Sequence, residues 1–406
     1  MGKKKNTNKK WIRFRHGIVR NILYGTLGVY SRLKYNIKIE RFKEQQKRPY
    51  LVLFNHQTAF DQFFVGMAFR GPIYYMASED LFSNGFTSSL IRYLVAPIPI
   101  KKQTADVRAI MNCMKVAKEG GTIAIAPEGN RTYSGQTEYM NPSIAPLAKK
   151  LGMPIALYRI EGGYGVHPRW SDVVRRGKMR GYVSEVIYPE EYENLTYDEL
   201  MERIKTGLYV NEAVADADFS HPKLAEYLER AIYYCPYCGF SKFESCGDLI
   251  KCKKCGIEVR YTSKNELVGV GFDFPYRFVL DWYNAQSDFT NSLDTNEYTE
   301  KPLSEDFADF YEVIPYKNKR LISKGIKMCL YGNRIFIQGA EEDVSFSFDE
   351  VSAVTVLGKN KLDIYLGKKI YQIKSSARFN ALKYVHIYNR YKNIMRGDEN
   401  AKFLGL

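Results

Sequence analysis

Between Pro49 and Ile187 four short apolar runs alternate with helical patterns, and this alternation limits the fold more than any other feature of the chain. The runs at 51–54, 73–76, 122–126 and 155–158 are brief and apolar throughout, as strands buried on both faces are. The helical patterns span 60–69, 86–93, 105–118 and 143–151, the last stopped by Gly152-Met153-Pro154. Strand–helix alternation predicts an α/β layer structure with a largely parallel sheet. Ligands of such folds sit beyond the carboxyl ends of the strands, so the loops after 51–54 and 122–126 are where chemistry is to be sought.

Two such loops carry it. After the first strand comes Asn55-His56-Gln57-Thr58-Ala59-Phe60-Asp61. A spacing of five does not share one helix face, but the turn from strand to helix can bring the Asp61 carboxylate to one imidazole nitrogen of His56. The other nitrogen is then a general base, the His–Asp half of a triad. The bland alternative is a surface His beside a capping Asp. After the strand at 122–126 comes Ala126-Pro127-Glu128-Gly129-Asn130-Arg131-Thr132. A guanidinium suits bidentate phosphate recognition, and Gly129 allows close backbone approach; the alternative is a surface turn with an ion pair. A third stretch, Pro97-Ile98-Pro99-Ile100-Lys101-Lys102, ends an apolar run on two cations.

Order and spacing together resemble the four blocks of the glycerolipid acyltransferases, the 1-acylglycerol-3-phosphate acyltransferase or PlsC-like family. The blocks are His-x4-Asp, a basic residue after an apolar run, Pro-Glu-Gly-x-Arg, and the apolar Gly152-Met153-Pro154-Ile155-Ala156, and the resemblance covers about residues 49–190. It implies an αβ sandwich in which His56 is the general base, oriented by Asp61. The base takes a proton from a glycerol hydroxyl that attacks the thioester of acyl-CoA or acyl-carrier protein. Glu128, Gly129 and Arg131, with Lys101 or Lys102, would hold the phosphate-bearing end of a lysophospholipid, so that 1-acylglycerol-3-phosphate becomes phosphatidic acid. Thr58 stands where the family often has Ser, Ala126 where it has Phe, Asn130 where it has Thr or Ser, and Lys101/Lys102 where Arg is common. These departures bear on the acceptor, and acylation of another lipid or polar acceptor, or a non-catalytic zinc-dependent membrane scaffold, is the alternative reading.

Charge is concentrated at the front. Of 60 Lys and Arg against 45 Asp and Glu, residues 1–48 hold 15 cations facing only Glu40 and Glu44. At helical spacing Trp11, Phe14, Ile18, Ile22, Val29 and Leu33 form one stripe, with Lys3, Lys4, Lys5, Lys9 and Lys10 ahead of it. An aromatic apolar stripe flanked by cations is the make-up of a helix lying on an anionic membrane. A solvated tail with a helix packed on the protein's own core is the alternative. A nucleic-acid arm has little use for so long an apolar stripe. Arg13, Arg15 and Arg20 interrupt what would be a signal peptide's apolar stretch, and no 18-residue apolar window occurs. The expected location is the cytoplasmic face of a membrane.

Seven cysteines include two Cys-x-x-Cys pairs, Cys235/Cys238 and Cys252/Cys255, each followed by Gly and separated by 13 residues. Four thiolates at this spacing predict a closed tetrahedral zinc ribbon with a structural role; iron is the lesser alternative. Cys113, Cys246 and Cys329 read as buried thiols. Charged helical patterns at 197–208 and 223–233 lead into this module. Beyond Lys264, β-rich runs at 334–338, 344–348, 351–357, 361–366 and 369–373 precede a helix at 377–395, an α+β module similar in element order to a pleckstrin-homology-type barrel. The expected divisions are 1–48 (membrane-binding), 49–230 (acyltransferase), 231–263 (ribbon), 264–315 (connector) and 316–406 (C-terminal module).

Overall fold

The computed structural model of the chain describes residues 10–43, 49–83, 85–100, 106–214, 216–314, 319–339, 342–398, 401, 404 and 405. It divides into two compact units that do not follow chain order. The first comprises Met1–Gly129, Met140–Ile160 and Arg180–Tyr209; the second comprises Asn130–Tyr139, Glu161–Met179 and Val210–Leu406.

In the first unit a seven-stranded sheet is built from β1 (Ile37–Ile39), β2 (Leu51–Phe54), β3 (Ile73–Ser78), β4 (Ile98–Ile100), β5 (Thr122–Ile125), β6 (Ile155–Glu161) and β7 (Met179–Ile187), in the order β1-β7-β6-β2-β5-β3-β4. β2 pairs in parallel with β5 and β6, and β3 with β4 and β5. All four β2 residues are buried, as a central strand requires. The edge strand β1 lies within the segment expected only to bind membrane, so that segment also joins the sheet.

The helices of this unit are α1 (Phe14–Tyr35), α2 (Asp61–Ala68), α3 (Gly85–Leu94), α4 (Val107–Lys118), α5 (Ile144–Leu151), the single-turn α7 (Pro189–Tyr192) and α8 (Tyr197–Leu208), while the single-turn α6 (Gly163–Val166) belongs to the second unit. Leu147 and Ala148 of α5 and Leu200, Ile204 and Leu208 of α8 meet Leu51, Ile123 and Ile155 of the sheet in one core. α5 stops at Gly152, whose φ of +61° lets its N–H reach the Ala148 carbonyl at 3.1 Å. α8 starts in a capping box between Thr196 and Glu199.

α1 turns its polar and small residues inward. His16, Ser31 and Tyr35 are buried, and the Tyr24 phenol lies over Gly66 of α2, where any Cβ would stand 1.8 Å from its oxygen. The apolar stripe points the other way: Phe14 is 89% and Leu33 83% exposed, with Ile18, Ile22 and Val29 also exposed. Of the stripe, Trp11 is the exception, half-buried and bonded through Nε1 to the Ala96 carbonyl at 2.9 Å. No described helix is long and apolar enough to cross a membrane.

In the second unit, β8 (Tyr234–Cys235) pairs with β9 (Gly239–Phe240), and β10 (Phe243–Cys246), β11 (Leu249–Cys252), β12 (Glu258–Tyr261) and β13 (Leu267–Gly269) form an antiparallel meander. α9 (Val279–Ser292) follows. Seven antiparallel strands then run β14 (Ser304–Val313), β15 (Arg320–Leu330), β16 (Arg334–Gln338), β17 (Val344–Ser347), β18 (Val351–Leu357), β19 (Lys361–Leu366) and β20 (Lys369–Ser375), before α10 (Leu382–Met395). Their order, β17-β16-β15-β14-β20-β19-β18, leaves β17 and β18 as edges among the described residues. α10 packs at the β18 edge, where Tyr388 Oη donates to Val351 O at 3.0 Å.

Two expectations are corrected. The helix at 223–233 is a single 3₁₀ turn, Leu228–Arg230. Tyr227 takes φ +73°, and Ala231, Ile232 and Tyr233 are consecutive and all buried, which a one-sided helix cannot achieve. Cys246 is exposed rather than buried, because β10 alternates and Phe243 and Ser245 take the inner face. The stretch 264–315 holds β13, α9 and β14.

Candidate active site

β2 ends in the first unit with Phe54, and the next residue, Asn55, extends the pairing with its side chain. Asn55 Nδ2 donates to Ile160 O at 2.8 Å, and Ile160 N donates to Asn55 Oδ1 at 2.7 Å. The chain then leaves the sheet with its position fixed.

His56 follows. Its backbone N–H donates to Glu128 Oε1 at 2.8 Å, so the loop after β5 holds the loop after β2. Its Nδ1 lies 2.8 Å from Asp61 Oδ2. Asp61 opens α2 and is fully buried, while the His56 side chain is 24% exposed. The Asp61 carboxylate also accepts from Gln57 N at 2.6 Å, from Thr58 N at 2.9 Å to both oxygens, and from Thr58 Oγ1 at 2.6 Å. A buried carboxylate with this many donors is locked in place. Bonded to Nδ1, it selects the tautomer that carries its proton there and leaves the Nε2 lone pair as the basic site.

Of the residues singled out in the sequence, His56, Asp61, Glu128 and Gly129 belong to the first unit, and the first three are joined by the bonds above. Gly129 adopts φ +70°, and its N–H bonds Ala126 O at 3.0 Å, turning the chain sharply after β5. Glu128 is buried and one of its oxygens is committed to the His56 backbone. That makes it a holder of the histidine as well as a candidate ligand. Arg131 belongs to the second unit, where Arg169 Nη1 donates to its carbonyl at 2.9 Å. Lys101 and Lys102, just past β4, lie outside the described residues, as do Lys3, Lys4, Lys5 and Lys9. Sequence reasoning gave no role to Asn55; its position one residue beyond a buried strand is the signal that marks it. Thr58 was marked only as a substitution, and its hydroxyl is one of the donors on Asp61.

The four paired cysteines converge as well. The Sγ atoms of Cys235, Cys238, Cys252 and Cys255 all lie within 4.8 Å of one another, and Cys235 Sγ is 3.7 Å from Cys255 Sγ. Four sulfurs about 2.3 Å from a central tetrahedral zinc would be about 3.8 Å apart, so the donor set and spacing fit such an ion.

Residues 36–159 match the family model described as Acyltransferase. A chloroplastic 1-acyl-sn-glycerol-3-phosphate acyltransferase of Brassica napus is 22% identical over 202 residues, 48% of this chain and 56% of that protein. A 1-acyl-sn-glycerol-3-phosphate acyltransferase of Bacillus subtilis (strain 168) is 24% identical over 137 residues, 34% of this chain and 65% of that one. The chain thus spans under two thirds of the length of these relatives. The crystal structure of the 1-acyl-sn-glycerophosphate acyltransferase PlsC from Thermotoga maritima aligns with 47% of this chain and 75% of its own, at 21% identity and a TM-score of 0.40. The stretch matching the Acyltransferase family model contains His56, Asp61, Glu128 and Arg131, so the sequence similarity and the histidine–carboxylate geometry fall on the same part of the chain.

Proposed function

We propose that the chain transfers a fatty acyl group from an acyl thioester to the hydroxyl of 1-acylglycerol-3-phosphate, forming phosphatidic acid. The carrying observation is the 2.8 Å contact from His56 Nδ1 to a buried Asp61 that three further donors hold in place. In this reading His56 Nε2 removes the proton from the acceptor hydroxyl as its oxygen attacks the thioester carbon. The tetrahedral adduct then expels the thiolate, which leaves with the proton returned from Nε2. Asp61 keeps the ring oriented and offsets the charge it carries between the two transfers. No acyl-enzyme is required, since a thioester is already activated. Arg131 binds the acceptor's phosphate, with Lys101 or Lys102.

The flanking parts serve this reaction. The exposed stripe of α1 supports a peripheral seat on an anionic membrane at its cytoplasmic face, where the acceptor lies. The four cysteines hold a zinc ion that braces the ribbon; with no open ligand position it takes no part in acyl transfer. The strand order and closing helix support a pleckstrin-homology-like reading of the C-terminal sheet.

The test is turnover of labelled acyl-CoA and acyl-carrier protein by the purified full chain, with lysophosphatidate and phosphate-free acceptors in parallel. His56→Ala should lower kcat by about 10²–10⁴-fold without changing the melting temperature. Full activity of that variant, or turnover only of acceptors lacking phosphate, overturns the reading.

A further inference from the structure

The second unit holds a cleft of about 380 Å³, lined wholly by its own residues. That volume takes about a dozen water-sized groups and falls in the usual range of small-molecule sites, roughly 300–1,000 Å³. One wall is the stretch 134–138, whose residues alternate. Gly135 and Thr137 are pinned on one side: Glu212 N donates to Gly135 O at 2.8 Å, Thr137 N to Val210 O at 2.9 Å, and Val210 N to Thr137 Oγ1 at 3.0 Å. Ser134, Gln136 and Glu138 line the cleft.

The second wall is one face of α9. Leu280, Tyr283, Asn284, Ser287, Asp288 and Asn291 recur at three- and four-residue steps and all line the cleft. The third side is His386 of α10. Its Nδ1 lies 2.7 Å from Tyr233 Oη and its Nε2 3.4 Å from Tyr283 Oη, so both ring nitrogens are engaged.

No lysine or arginine lines this cleft, whereas two carboxyl groups do, those of Glu138 and Asp288. His386 adds no charge, because burial pushes it down to about 3. An anion would therefore be buried here without a partner, at high cost. Among the described residues only the four paired cysteines come together as a metal donor set. Ser134 Oγ donates to Glu138 Oε1 at 2.6 Å. Burial raises Glu138 to about 7 against that bond and the charge of Arg169, so near neutrality an adjacent cation can displace its proton. Asn284 and Asp288 are exposed, and their side chains make no hydrogen bond or ion pair among the described residues.

We propose that this cleft binds a small organic ammonium compound carrying several hydroxyl groups. The ammonium is held by the carboxylates of Asp288 and Glu138 through charge-assisted hydrogen bonds. The hydroxyls meet the amides of Asn284 and Gln136, which both donate and accept. A neutral polyol would leave the carboxylates without a counter-charge, and a bare alkylammonium would leave the amides without polar partners. This inference stands apart from the proposed acyl transfer, because His56 and Asp61 belong to the first unit.

The experiment is calorimetric titration of the full chain with glucamine (1-amino-1-deoxysorbitol), with sorbitol and ethylammonium in parallel. The variants are Asp288→Asn, Glu138→Gln and His56→Ala, with melting temperatures as a folding control. Asp288→Asn, at an exposed helix position, should weaken glucamine about tenfold. Between pH 6 and pH 8 His386 stays neutral and Tyr283 stays protonated, burial holding both there, while Glu138 passes through its midpoint. Glucamine should therefore bind about tenfold more tightly at pH 8 than at pH 6, following the ionised fraction of Glu138. Glu138→Gln keeps an acceptor for Ser134 and should remove that dependence, and His56→Ala should bind as the parent does. Sorbitol or ethylammonium binding as tightly as glucamine overturns the ligand class. No heat with glucamine, or unchanged affinity in both carboxylate variants, overturns the site. Loss of binding in a folded His56→Ala variant would place the ligand in the first unit, and the proposal fails.

Discussion

Asn55 and Ile160, 105 residues apart, exchange two hydrogen bonds through the asparagine's side-chain amide, at 2.8 and 2.7 Å. The amide imitates a peptide group at the point where β2 has run out, so His56 emerges from a backbone that is still tied to β6. Replacing Asn55 by Ala removes both bonds and strands the buried polar groups of Ile160. A loss of roughly 2–4 kcal/mol in denaturant titration is expected. A misplaced His56 should in addition lower kcat about 10²-fold. Unchanged kcat in a destabilised variant would show that the brace serves the fold alone.

Glu212 is buried and pushed up to about 7, by burial first, against the hydrogen bond from Gly162 N at 2.7 Å and with Glu161 adding repulsion. The folded chain therefore binds the proton more tightly than the unfolded one, whose carboxyl has its ordinary value of 4.5. The favourable contribution is complete below about pH 4.5, declines as pH rises to about 7 and is gone above it. Glu212→Gln keeps an acceptor oxygen for Gly162 and removes the titration. It should be more stable than the parent at pH 8, by up to roughly 3 kcal/mol, with the gap closing toward pH 4.5. A gap that stays constant with pH would contradict the burial argument.

Trp282 reports on the cysteine cluster. Its Nε1 donates to Tyr234 O at 2.8 Å, next to Cys235, and Phe243 packs edge-on at 5.5 Å. Elemental analysis should find one zinc per chain. Chelation or Cys252→Ser should shift tryptophan emission to the red as β8 and β9 loosen, since structural zinc and local folding are coupled. Metal-free protein with unaltered emission would remove zinc from the account.

Phe14 and Leu33 lie at opposite ends of α1 and are almost fully exposed, so charging them should leave the fold within about 0.5 kcal/mol. The double variant Phe14→Glu/Leu33→Glu should lose binding to phosphatidylglycerol vesicles by about 100-fold or more, from two lost insertions of roughly 1.5–3 kcal/mol each. Co-sedimentation equal to the parent's would mean that α1 does not meet the lipid. Phe86, 82% exposed on α3, is a second apolar side chain to vary in the same assay.

The layer structure was legible because β2, β5 and β6 are short, apolar throughout and separated by helices with apolar spacing. β1 and β7 were not, since Ile37–Ile39 is three residues in a basic stretch and Met179–Ile187 mixes Arg180, Ser184 and Glu185 into a strand covered on one side. The His56–Asp61 contact could be anticipated because a turn was needed and the motif sat where a turn must be. Asn55 could not, as its function is visible only when Ile160 stands opposite. The segment 223–233 misled because its charges have helical spacing, whereas the fold buries it residue after residue.

The interleaving of the two units also governs how the chain can be divided. Residues 130–139 and 161–179 are encoded in the first half yet grouped with Val210–Leu406, where Tyr133 and Trp170 share a core with Tyr261 and Trp282. A fragment stopped near residue 210 would keep the whole matched region but expose those two aromatic rings to water, with Arg131 on an unsupported loop. Excision at that seam should therefore yield an aggregating remnant rather than a minimal enzyme, and gene fusions or truncations for expression have to respect a boundary that the linear order of the chain conceals.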